Sequence, residues 1–224
     1  MKLLAIETST EACSVALYRD GTLTERFALA PRRHTELLLP MIEELLAEAA
    51  AGPADLDGLA FGAGPGAFTG LRIACAFTQG IALARELPVA PVSSLAALAQ
   101  GVARATGATR LLPAFDARMG EVYCGAYETR ADGLVSALSA DRVCPPAQVQ
   151  WPAGAEWTAC GSGWASHGDA LRASLGTRLR EVLADSYPHA QDVARLGVEA
   201  FKAGRGRPAE EALPVYLRDE IVRR

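Results

Sequence analysis

Two acidic residues, each placed where an apolar run gives way to a turn, are the first positions in this sequence where chemistry is conceivable. Glu7 follows the run 2–6 and opens the turn Glu7-Thr8-Ser9-Thr10, and Asp116 follows the run 111–115. In a nucleotide-binding protein such carboxylates orient a metal-bound phosphate or an attacking water, and the amides and hydroxyls of Thr8 and Ser9 would add donors. The same residues read equally well as solvated turn residues that accept backbone N–H bonds. A second candidate is the glycine-rich stretch 62–70, with Gly64, Gly66, Thr69 and Gly70, ahead of a predicted helix. Its amides suit an anion at a helix N-terminus, or its glycines form a tight turn that lets two backbones pack. It is not a P-loop, because no Lys-Ser or Lys-Thr follows, and it lacks the dinucleotide spacing.

Other chemistries are poorly supplied. The three histidines, His34, His167 and His189, form no i, i+4 pair and have no cysteine at ligand spacing, so no metal site is expected. No G-x-S-x-G elbow is present. The five cysteines, at 13, 75, 124, 144 and 160, contain no C-x-x-C and lie mostly in apolar segments, where inert buried thiols are expected. A net charge of −4 disfavours an extended basic surface for nucleic acid. No apolar run reaches the ~18 residues of a membrane span, and Glu7 interrupts the only N-terminal run, so the cytoplasm is the expected compartment.

The elements that must position these residues are legible from periodicity and punctuation. With 50% hydrophobic and 21% charged residues the chain is globular rather than disordered. Strands are predicted over 2–6, 12–18 and 23–29, with Asp20-Gly21 as a hairpin turn. A helix follows over 35–51, capped by Thr35 and ended by Gly52-Pro53. A strand at 58–61 then leads through the glycine-rich stretch into a helix over 71–87, rich in small residues and halted by Pro88. A strand at 89–92, a helix from 93 or 94 to 106 and a Gly107 C-cap complete the first half.

The second half opens by echoing the first. Eleven positions separate Glu7 from Tyr18 and Asp116 from Tyr127, and each tyrosine precedes an Asp-Gly turn. This predicts a duplicated strand–acidic turn–strand unit and two α/β lobes, 1–106 and 107–224. Helices near 167–175 and 191–204 are also expected. The first helix carries too wide an apolar stripe for one face: Leu38, Ile42 and Leu45 are flanked by Leu37, Met41 and Leu46. Such a stripe is buried on two sides, either within its own domain or against a partner.

Six blocks, AIETSTEACSVAL (5–17), RRHTELLLPMI (32–42), GPGAFTGLRIA (64–74) with Gln79-Gly80, PVSSLAALA (91–99), DARMGEVY (116–123) and PVYLRDE (214–220), resemble, in order, the TsaB (YeaZ) family of bacterial tRNA threonylcarbamoyladenosine synthesis. The resemblance implies a two-lobed actin/Hsp70/sugar-kinase-like (ASKHA) α/β fold with an abbreviated C-terminal lobe, whose last segment packs back on the first. It implies a paralogue of TsaD, the subunit that transfers the threonylcarbamoyl group to the adenosine next to the anticodon. It further implies a non-catalytic subunit that pairs with TsaD through the helices 35–51 and 71–87 and is joined by the ATPase TsaE. The implied interface residues are Leu37, Leu38, Met41, Ile42, Leu45, Ile73, Phe77 and Ile81, and a homodimer through the same surface is expected when the partner is absent. Glu7, Thr8, Ser9 and Asp116 would be a vestigial phosphate loop, and Gly64, Gly66, Thr69 and Gly70 a structural loop fixing the second helix. The histidine pair that holds the metal of TsaD-type proteins is missing, so peptidase activity is not expected. Gly161-Ser162-Gly163 is a poor match to an adenosine motif, so no cofactor and weak or absent ATP or ADP binding are expected. Contact with tRNA would be indirect, through the complex. The rival from the residues alone is a stand-alone nucleotide phosphohydrolase or kinase using Glu7 and Asp116.

Overall fold

Strand β1 (Lys2–Glu7) is apolar throughout because both faces of the sheet it centres are covered: Leu4 and Ile6 enter one core layer, Leu3 and Ala5 the other. The computed structural model describes residues 1–153, 156–173, 175 and 178–218 of the chain. β1 pairs antiparallel with β2 (Ala12–Arg19), which pairs antiparallel with β3 (Thr22–Leu29). On its other side β1 runs parallel to β4 (Gly58–Gly64), and β4 parallel to β5 (Val89–Ser93), giving the order β3-β2-β1-β4-β5. Asp20 and Gly21 turn the hairpin at φ 47° and 97°.

Two helices, α1 (His34–Glu48) and α2 (Phe68–Arg85), cover one face of this sheet. α1 starts one residue before Thr35, which lies exposed inside the first turn, while Arg33 holds the N-cap position without a side-chain cap. The start is fixed instead by His34, whose Nε2 is 3.1 Å from the carbonyl of Ala12 on β2. Pro40 consequently falls beyond the first turn, exposed, in the helix interior. α2 starts at Phe68, so Thr69 and Gly70 belong to its first turn and not to the preceding loop.

The chain divides into two units, Met1–Ala97 with Pro188–Val215, and Leu98–Tyr187 with the residues from Tyr216 onward. Helix α3 (Ser94–Thr106) is shared at its fourth residue, and Gly107, at φ 72°, caps it through a 2.8 Å bond to the carbonyl of Ala103. In the first unit the second sheet face is covered by a helix from late in the chain, α5 (Ala190–Lys202). It approaches closely because its contact layer is small: a Cβ on Gly197 would fall 2.7 Å from that of Ala60.

The second unit repeats the first sheet. β6 (Arg110–Arg118), β7 (Glu121–Cys124), β10 (Arg142–Cys144), β11 (Trp157–Cys160) and β12 (Leu179–Leu183) run in the order β10-β7-β6-β11-β12, again two antiparallel pairings followed by two parallel ones. The duplication read from the sequence is therefore real, but Tyr127 is not its marker. Tyr127 opens β8 (Tyr127–Thr129), which with β9 (Val135–Ala137) forms a side hairpin on β6, whereas the true counterpart of β2 ends at Cys124. Helix α4 (Ser162–Ala173) packs on this sheet through Trp164, whose indole donates to the carbonyl of Leu112 at 2.8 Å. No helix among the described residues is long and apolar enough to cross a membrane. Of the block PVYLRDE, Asp219 and Glu220 lie outside the described residues.

Candidate functional site

The carboxyl of Glu7 is wholly buried at the end of β1. Its Oε1 accepts the Ser9 amide at 2.5 Å, and its Oε2 lies against Gly62, where a Cβ would stand 1.9 Å away. That oxygen has no hydrogen-bond partner of good geometry. Burial pushes the Glu7 carboxyl up from its ordinary value, against the opposing pull of the Ser9 and Ser94 hydroxyls and the Ser9 and Thr8 amides. The shift disfavours the carboxylate, which is the form that would ligate a metal ion beside a phosphate. The Cys13 thiol beside it is pushed up to about 11 by burial and by the Glu7 charge.

Thr8 and Ser9 are buried too, and the Thr8 hydroxyl and the Ser9 amide and carbonyl are bonded within the fold, whereas the Ser9 hydroxyl has no hydrogen-bond partner of good geometry. The Thr8 hydroxyl donates to the carbonyl of Gly70 at 2.8 Å, and the Ser9 carbonyl accepts the Ala67 amide at 2.7 Å. Cβ atoms on Gly66 and Gly70 would fall 2.5 Å and 1.9 Å from the carbonyl oxygens of Ser9 and Thr8. Gly64, at φ 113°, faces the carbonyl of Val215 at 2.8 Å from its would-be Cβ. The glycine-rich stretch thus lies in close contact with the turn after β1 and with the carbonyl of Val215. Its glycines seat α2 on the turn after β1, and the amide of Ser9 and hydroxyl of Thr8 that would face a phosphate are already committed.

Asp116, in the second unit, is differently placed and partly open to solvent. Its Oδ1 accepts the Arg118 amide at 2.8 Å and its Oδ2 receives Arg118 Nη1 at 3.2 Å. His167 Nε2 stands 3.6 Å from Oδ1, and the Asp116 amide donates to Ser162 Oγ at 3.2 Å. His167 sits at a kink, with φ −133° inside α4. Its proximity to Asp116 was not legible in the sequence, because nothing periodic links residues so far apart. Two such groups are short of a metal cage, and no group of three or more His, Cys, Asp or Glu stands together among the described residues.

The apolar stripe of α1 resolves into two rows. Leu38, Ile42 and Leu45 are 0%, 3% and 1% exposed and point into the sheet, so this chain's own core uses them. They are not available to a partner, which corrects their expected place at an interface. Leu37 and Met41 on α1, with Ile73, Phe77 and Ile81 on α2, are half-buried along the margin of the same core. Beside them Ala76 and Gly80 are exposed, and a Cβ on Gly80 would meet nothing within 4 Å. Another flank of α2 is covered from within: Cys75 Sγ donates to the carbonyl of Ala212 at 3.2 Å and Gln79 Nε2 to that of Ala209 at 3.1 Å.

Duplicated sheets of this order, with helices on both faces of the first, define a two-lobed α/β protein of the actin/Hsp70/sugar-kinase class. Component A of (R)-2-hydroxyglutaryl-CoA dehydratase from Acidaminococcus fermentans, only 11% identical, has the same fold with a TM-score of 0.50, over 91% of this chain and 99% of that one. The family described as "TsaD: tRNA N6-adenosine threonylcarbamoyltransferase" matches residues 28–222. The tRNA threonylcarbamoyladenosine biosynthesis protein TsaB of Escherichia coli (strain K12) is 42% identical over 99% of this chain and 96% of its own length. A crystal structure of an uncharacterized protein from Pseudomonas aeruginosa with similarity to peptidase YEAZ superposes with a TM-score of 0.90 and 44% identity, over 97% of this chain and 99% of that one. The chain belongs to the TsaB (YeaZ) family.

Proposed function

We propose that this chain is a non-catalytic subunit in the synthesis of threonylcarbamoyladenosine in tRNA, pairing with its catalytic paralogue TsaD and acting with the ATPase TsaE. The pathway is that in the name of the E. coli relative, which matches nearly end to end. The observation that carries the pairing is the half-buried row Leu37, Met41, Ile73, Phe77 and Ile81 beside exposed Ala76 and Gly80. Each large side chain in that row retains apolar area to bury, at roughly 25 cal/mol per Å². The small residues allow the axis of a second helix to approach closely. With TsaD absent, the same surface closes between two copies around a two-fold axis.

The internal commitments of the Glu7–Ser9 turn support a scaffold over an enzyme. A buried carboxyl held toward its neutral form, beside a Thr8 hydroxyl and a Ser9 amide already bonded within the fold, offers little to a nucleotide phosphate. No cofactor is therefore proposed, and binding of ATP or ADP by the isolated chain is weak or absent. The net charge of −4 supports a tRNA contact made through the complex. The compartment is the cytoplasm, where tRNA is modified.

Reconstitution of tRNA threonylcarbamoylation from TsaD, TsaE, the activated threonylcarbamoyl donor and tRNA, with and without this chain, tests the reading. The expected result is modification that requires the chain, which is inert alone and co-elutes with TsaD. Turnover by the chain alone, or indifference to TsaD, would overturn it and return the nucleotide-enzyme reading to first place.

A further inference from the structure

Five cysteines are unbridged, and two of them meet across one ladder. In the antiparallel pair β7–β10, Cys124 is opposite Arg142 and Val122 opposite Cys144. Cys144 is thus two positions from the direct partner of Cys124, on the same face, because side chains alternate along a strand. Diagonal neighbours on one face of an antiparallel pair stand about 7–8 Å apart at Cα and somewhat less at Cβ. Both side chains join one apolar cluster, Cys124 fully buried within it and Cys144 half-buried at its margin. Cys144 adds to the upward push that burial exerts on the Cys124 thiol, against the downward pull of Arg142. Of the other three cysteines, Cys13 and Cys75 belong to the first unit, and Cys160 is buried in β11.

We propose that Cys124 and Cys144 form a redox-responsive dithiol, which a hydroperoxide converts to a disulfide across β7 and β10. Accessibility sets the order of events. Burial pushes the Cys124 thiol up to about 12, so it is a poor first nucleophile, and the half-exposed Cys144 reacts first. The Cys144 sulfur attacks one peroxide oxygen, the O–O bond breaks, and sulfenic acid and water form. The Cys124 sulfur then attacks the sulfenic sulfur, the S–O bond breaks, and a second water leaves with the Cys124 proton. Two thiols lose two electrons in all, and hydrogen peroxide is reduced to two waters. A small thiol reductant reverses the change. The link ties β10, the outer strand of its sheet, to β7 and closes the loop that carries β8 and β9. Such transient bridges are the form expected where the surroundings are reducing.

The full chain is to be exposed to hydrogen peroxide in native buffer, its free thiols counted, and its peptides mapped without reduction by tandem mass spectrometry. The expected result is loss of two thiols and a Cys124–Cys144 link that a reductant removes. In Cys124→Ser the link is lost and dimedone traps a sulfenic acid at Cys144, while in Cys144→Ser the Cys124 thiol survives the same dose. The proposal is overturned if Cys144 of the unmodified chain proceeds to sulfinic acid with Cys124 still a thiol. It is equally overturned if the link forms with another cysteine, or if all five thiols persist.

Discussion

The Thr8 hydroxyl donates to the carbonyl of Gly70 at 2.8 Å, while the Thr8 carbonyl stands 1.9 Å from the point a Gly70 Cβ would occupy. These two residues hold the first turn of α2 against the turn that follows β1, and residue 70 is confined to glycine by contact rather than by backbone angle. The blocking atom is a backbone oxygen, which has no rotamer to escape into. Gly70→Ala is therefore expected to cost about 3 kcal/mol or more, at the upper end for overpacked sites. Thr8→Val removes only the hydroxyl bond and is expected to cost about 1 kcal/mol. Urea unfolding of both variants checks the order, and a Gly70→Ala cost no larger than that of Thr8→Val would contradict the docking.

Glu7 gives stability a pH dependence of definite sign. Its folded value is raised above the ordinary 4.5, so the native state keeps a proton that the unfolded chain releases. That contribution is complete below the unfolded value and is lost as pH rises through the folded value. Glu7→Gln keeps an acceptor for the Ser9 amide but cannot ionise. The stability of the variant relative to the parent is expected to grow as pH rises from about 4 toward 8. Denaturant midpoints across that range decide the matter; a flat difference would mean that Glu7 ionises alike in both states.

Much of this fold is local and was legible as such. The run at β1, the Asp20-Gly21 turn and the Gly107 cap are short-range signals, and the elements of the first 106 residues lie within about three residues of their expected bounds, whereas α4, expected near 167–175, starts at Ser162. The start of α2 was misplaced because Ala67, its N-cap residue, carries no capping side chain, and a glycine at 70 reads as loop until the carbonyl of Thr8 is seen against it. The Tyr127 correspondence failed because the β8–β9 hairpin is inserted after β7 and shifts the register of the repeat. Core and margin on α1 share one chemistry, Leu38 and Ile42 against Leu37 and Met41. Only the position of the sheet distinguishes them. The depth of Glu7 depends on a glycine on a neighbouring strand, which spacing along the chain does not encode.

Glu25 on β3 anchors the start of α5. It accepts the Gln191 amide at 3.0 Å and Gln191 Nε2 at 2.8 Å, and its Oε2 lies 3.0 Å from His189 Nδ1. His189 also stacks on Phe27, with ring centroids 4.3 Å apart. A carboxylate at a helix N-terminus is favourable both as an acceptor and against the helix dipole. Glu25→Ala is expected to cost about 1–2 kcal/mol and to speed amide exchange in the first turn of α5. Unchanged exchange at residues 190–193 would show that the packing of α5 on the sheet alone fixes its start.

The proposed pairing surface can be separated from the core by variants that move stability and association in opposite directions. Leu38→Ala removes a fully buried side chain and is expected to cost about 2–5 kcal/mol of stability, with pairing retained in whatever fraction stays folded. Gly80→Arg acts the other way. Its new side chain enters open space, and replacing a helix-interior glycine by a better helix former is expected to stabilise the chain by about 0.5–1 kcal/mol. The same side chain stands where a second helix must approach, and a charge left unpaired there opposes association. Melting curves and co-elution with TsaD read the two effects independently. A Gly80→Arg chain that is as stable as the parent, or more so, and no longer co-elutes is the expected result. One that still pairs as tightly would move the docking surface off α2, whatever the Leu38→Ala variant does.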